Sequence, residues 1–221
     1  MRHAIVMALP LLAALAMGPA AEAARPAPVV AGRYAPKDEC SPLPGAAAFR
    51  ASLTAAVRAR DAEAMGRLSA PEITLDFGGG AGRDEFVRRL RGEEGAQLWQ
   101  ELDEILALGC AVQTALLFMP WFYAQDIGDF DPFDVMLVTG TAVPLRTAPN
   151  ARARPVRLLS WVLVEPISAD DHEAPFRRVR LPGNRVTGYV ASARLRSPAD
   201  YRLIAERAGP GWRIATFIAG D

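Results

Sequence analysis

The chain is predicted to be an α+β protein, with an N-terminal helical region packed on a small antiparallel sheet and a small β-barrel after it. Three observations predict this. Apolar residues recur at helical spacing between 46 and 108. Apolar and polar residues alternate through 135–198, with turn residues between the runs. A last alternating pair, 201–207 and 212–218, is split by Ala208-Gly209-Pro210-Gly211 and reads as a hairpin.

Residues 1–23 combine a basic start, Met1-Arg2-His3, an apolar run over 4–17 and a small-x-small site, Ala21-Glu22-Ala23. That is the pattern of a secretory signal peptide. The alternative is a membrane anchor, but the apolar run falls short of the ~20 residues that span a bilayer. No later segment is long and apolar enough to cross, so a periplasmic or secreted location with no integral span is expected. Residues 24–40, with Pro26, Pro28 and Pro36, read as an extended Pro-rich tether.

Residues 41–134 read as a helix-rich α+β domain. Phe49, Leu53 and Val57 mark one face of a first helix. Asp61 is placed to cap a second, over 62–68. Residues 72–77 alternate as a strand and run into Gly78-Gly79-Gly80-Ala81-Gly82, after which Asp84 starts a helix with Phe86, Val87 and Leu90 apolar. Strand, glycine loop and helix can cradle a phosphate. Gly-Lys-Ser/Thr is absent, however, and Asp84 and Glu85 place negative charge where the phosphate must sit, which favours a tight turn. Leu98, Trp99, Leu102, Ile105 and Leu106 mark a further helix that Gly109 stops.

Cys40 and Cys110 are expected to form a disulfide in an oxidising compartment, stabilising by about 4 kcal/mol through loop entropy; two buried thiols are the alternative. Residues 116–123 are the most apolar and aromatic run after the signal segment. They are core or, on a sharper reading, pocket lining by Trp121 and Tyr123 together with Trp99. Asp126, Asp129, Asp131 and Asp134 crowd the next loop. Hard cations want such oxygens. The spacing is not that of an EF-hand, and Ile127, Phe130 and Phe133 interleave, so no metal is expected.

Between 139 and 195 the chain carries Leu145-Arg146-x-x-Pro149 and, later, Gly188-Tyr189-Val190 with a short turn ending at Leu195. This order resembles that of bacterial SH3 domains, with Phe176 where the family often has Trp. The resemblance implies an SH3-like barrel over 135–198 and binding of cell-wall peptide or a protein partner. Arg146, Trp161 and Tyr189 are then framework first, and the binding surface falls where the barrel meets Trp121, Tyr123 and Asp131. The hairpin of 199–221 is expected to pair with 72–77 and complete the N-terminal domain. The order helix, helix, strand, glycine turn, helix, closed by Trp212-x-Ile214-x-x-Phe217, resembles an NTF2-like cone with the barrel inserted.

Formal charge is +0, with Lys37 the only lysine. No basic field points to nucleic acid. His172 is the only histidine after the signal segment, and no Cys or Ser motif points to it. Glu72, Asp76, Glu101 and Glu104 lie in no glycosidase-like pattern. The expected function is therefore an exported, cofactor-free, non-catalytic binding or scaffold protein, recognising peptidoglycan or an envelope protein. The alternative is an NTF2-like small-molecule-binding or hydrolytic pocket protein.

Overall fold

A computed structural model of the chain describes residues 27–167, 173–183 and 185–220. The signal peptide expected at 1–23 and the loop residue His172 lie outside the described residues. Strand β1 (Val29–Ala31) is followed by α1 (Ala46–Ala59), whose Phe49, Leu53 and Val57 point into the core. The Asp61 carboxylate accepts from Ala64 N at 2.9 Å and caps α2 (Ala62–Leu68). Then come β2 (Ser69–Thr74), α3 (Arg83–Arg91), α4 (Gly95–Ala107), β3 (Ala111–Gln113) and β4 (Leu116–Met119).

Seven strands follow: β5 (Met136–Val138), β6 (Val143–Arg146), β7 (Pro155–Ser160), β8 (Leu163–Pro166), β9 (Phe176–Arg180), β10 (Thr187–Ala191) and β11 (Leu195–Arg196). The chain closes with β12 (Arg202–Ala208) and β13 (Gly211–Ile218).

These strands make two sheets. The smaller has the order β2-β13-β12-β4-β3 and carries the helices. It is mixed, not antiparallel as expected, because the terminal hairpin brings β13 alongside β2 in the same direction. The larger has the order β1-β7-β6-β10-β9-β8-β5-β11.

This second sheet corrects the barrel. Closure requires the two end strands to pair. Here the outer edge of β7 is taken by β1 in parallel, and β11 stops against β5 after two residues. Among the described residues the ends do not meet, and the sheet is open with eight strands. The short motifs that resemble a bacterial SH3 domain are present, with Tyr189 opposite Arg146, but they build a different architecture. The resemblance is withdrawn.

Two cores result. Between helices and small sheet lie Leu53, Met65, Ile73, Phe86, Leu102 and Phe217, with the Phe86 and Phe217 rings 5.5 Å apart. Each such side chain stabilises by about 1.5–3 kcal/mol on burial. The large sheet buries Val138, Leu145, Leu159, Val164, Val179 and Val190. A further cluster joins Tyr34, Phe122 and Leu163, with Trp161 at its margin.

Cys40 and Cys110 form a disulfide, with Cα atoms 5.7 Å apart. Among the described residues no helix is long and apolar enough to cross a membrane. Both features are compatible with an exported protein.

Candidate functional site: a groove between α4 and the large sheet

The site begins with backbone hydrogen bonds. Thr139 follows β5, and its N–H donates to Arg194 O at 2.8 Å. Trp161 follows β7, and its N–H donates to Gly140 O at 3.2 Å. Two adjacent residues, Thr139 and Gly140, thus gather Arg194 and Trp161 at one place. Gly140 has φ +126°, a conformation that side-chain-bearing residues rarely adopt. From the other side, Leu108 at the end of α4 accepts from Trp121 N at 3.0 Å.

A groove of about 380 Å³ opens there, walled by Ala107, Leu108, Trp161 and Leu195, with Glu104, Arg194 and Arg196 at its rim. Gly140 and Arg194 also line a second groove of about 320 Å³, with Val143, Pro144, Arg146 and Phe176. The two grooves meet at that glycine–arginine pair.

Trp161 is half-buried and has φ 52°. A bulky residue in this region costs on the order of 1–3 kcal/mol, and the surroundings must hold it there. They do. Trp161 O accepts from Tyr34 N at 3.3 Å, and Gly32 N donates to Ser160 O at 2.7 Å. The Ser160 hydroxyl accepts from Ala142 N at 2.9 Å. A Cβ at Gly32 would lie 2.1 Å from Trp161 O, so this strap can approach only as glycine. Residues 29–34, expected as part of a tether, brace the indole.

The charges at the rim differ in kind. Arg196 is 5% exposed and donates to Glu104 at 2.9 Å, to Glu101 at 3.1 Å and to Tyr201 O at 2.9 Å. It ties β11 to α4 and is neutralised there. Arg194 is exposed, and its side chain has no hydrogen bond or ion pair among the described residues.

Burial, with the charge of Asp200 added, raises the Glu101 carboxyl above its ordinary value of 4.5, against the opposing pull of Arg196. The folded state therefore holds this proton more tightly than the unfolded chain does. Its contribution to stability is lost as pH rises from the ordinary value towards the raised one. In melting curves, the wild type is expected to lose stability relative to Glu101→Gln through that window. Parallel profiles would contradict this.

The side chains singled out in the sequence are scattered. Trp161 lines the first groove and Arg146 the second, where Arg146 also donates to Ala153 O at 2.8 Å. Tyr189 lies across from Arg146 on β10. Trp121 is 3% exposed, under Lys37 and donating to Glu39 at 2.7 Å. Tyr123 stacks on Phe118 and carries the Arg202 guanidinium at 4.7 Å. Trp99 is 7% exposed and donates to Leu90 O at 3.1 Å. The structure does not gather Trp99, Trp121 and Tyr123 around one pocket.

The two polar loops have local roles. Asp126 and Asp131 accept from Gly128 N and Phe133 N at 2.7 and 2.8 Å, shaping turns. Among the described residues, no group of three or more His, Cys, Asp or Glu could hold a metal. Asp76 accepts from Gly80 N at 2.8 Å inside the glycine loop, and from Arg89 at 2.6 Å. A carboxylate thus stands against the loop N–H that a phosphate would need, and Arg89 holds it below the usual carboxylate range.

No protein-family model and no curated protein matches the chain. A solved structure of an NTF2-like protein with a cystatin-like fold, from Novosphingobium aromaticivorans, is similar at 12% identity. The similarity covers 77% of this chain and 75% of that one, with a TM-score of 0.29. A score of that size does not establish a shared fold, so the groove is read from its own geometry.

Proposed function

We propose that the protein is a non-catalytic binding protein, and that its ligand is a small molecule seated in the groove between α4 and the large sheet. The observation that carries this reading is Trp161. A bulky residue with positive φ, braced by a glycine strap and leaving its indole half-buried beside an apolar groove, is the kind of strained position that accompanies ligand contact. Volume supports a small molecule, since 380 Å³ lies in the range of small-molecule clefts. A non-catalytic role is supported by the lining. Glu104 is taken by Arg196, and Thr139 has no base among the groove residues. Export through a signal peptide fits this reading and the disulfide.

A neutral apolar dye, N-phenylnaphthylamine, tests it. The wild type is expected to bind the dye and brighten it. Ala107→Trp, at an exposed position on the groove wall, is expected to abolish the signal while leaving melting unchanged. Undiminished dye binding in that variant would overturn the proposal.

A further inference from the structure

The grooves are lined by Arg146, Arg194 and Arg196 against a single carboxylate, Glu104. That carboxylate and Glu101 are both bound to Arg196. Arg196 is therefore spent, and Arg146 has one donor fixed on Ala153 O. Arg194 is left uncompensated at the throat where the grooves meet.

Its Cα is positioned by the backbone. The Thr139 hydrogen bond holds Arg194 O, and the guanidinium lies beside Gly140. A Cβ at 140 would come within 3.7 Å of Arg194 Nη1 and 3.2 Å of Val143 Cγ2. Beside it runs the apolar wall of Ala107, Leu108, Trp161 and Leu195.

From this charge complementarity we infer that the ligand is an apolar monocarboxylate. Its carboxylate sits on Arg194 and its hydrocarbon body lies over Trp161 towards Leu108. The inference rests on the binding role proposed for this groove. A planar guanidinium fork matches the two oxygens of a carboxylate.

Displacement of N-phenylnaphthylamine by decanoate and by decanol tests this in the full chain. Decanoate is expected to displace the dye at a concentration lower by roughly tenfold or more. Arg194→Gln should remove that advantage, so that acid and alcohol displace the dye at similar concentrations, while Arg194→Lys should keep part of it. Equal displacement by acid and alcohol would overturn the assignment of a carboxylate. Loss of the advantage in Arg146→Gln, with Arg194→Gln unaffected, would overturn the role of Arg194. In both cases dye binding persists, so the groove itself stands. A wild type that fails to bind the dye defeats the groove, and this inference with it.

Discussion

Replacing Arg196 by alanine is expected to destabilise the protein by about 3 kcal/mol, the lower end for a buried ion pair that loses one partner. Arg196 is 5% exposed and holds Glu101, Glu104 and Tyr201 O together. Without it, two carboxylates face each other at the seam, with Asp200 nearby. The lower end applies because Glu104 is 46% exposed and water can compensate it. Arg194→Ala, two residues away, is the internal control. That side chain has no partner among the described residues, so its loss should cost less than about 0.5 kcal/mol. Urea unfolding measures both. Equal shifts for the two variants would remove Arg196 from its role as the tie between α4 and the large sheet.

The second large effect is expected at the disulfide. Cys40 and Cys110 are 70 residues apart, and cross-linking a loop of that length stabilises by about 4 kcal/mol in the chain-entropy model. Two backbone hydrogen bonds flank the disulfide. Glu39 N donates to Cys110 O, and Cys110 N to Lys37 O, each at 2.8 Å. A Cys40→Ala/Cys110→Ala double variant should unfold at much lower guanidinium concentration than the wild type. Reductant should move the wild type to the same midpoint and leave the variant in place. A wild type indifferent to reductant would contradict this.

The helices were legible because burial imposes a period. Phe49, Leu53 and Val57 recur every four residues, and Asp61 supplies a cap that its position announces. The cysteine pair was legible because a lone pair, in a chain expected to be exported, has one simple partnership. Barrel closure was not legible. Strand alternation reports one buried face, and it is the same for an open sheet as for a closed one. At one end of this open sheet stands β1, three residues in a Pro-rich stretch with no alternation to read.

The groove was only half visible. Trp161 and Arg146 stood out as residue types. The positive φ of Trp161, however, comes from a glycine strap more than 120 residues earlier in the chain. Arg194 gave no signal, because arginines are spread throughout this sequence and nothing local separates an unpaired one at the groove from the others. Glu101 and Glu104 carried no pattern, since their partner Arg196 lies on another element.

The central claim is that ligand sits against Trp161 in the groove beside α4, and not under the helices. Fluorine NMR of fluorotryptophan-labelled protein tests it most directly, with the Trp161 resonance assigned by Trp161→Phe. On titration with decanoate, the Trp161 resonance is predicted to shift and saturate, while those of Trp99 and Trp212 stay in place. A shift of Trp99 with Trp161 unmoved would put the ligand beneath the helices and contradict the account.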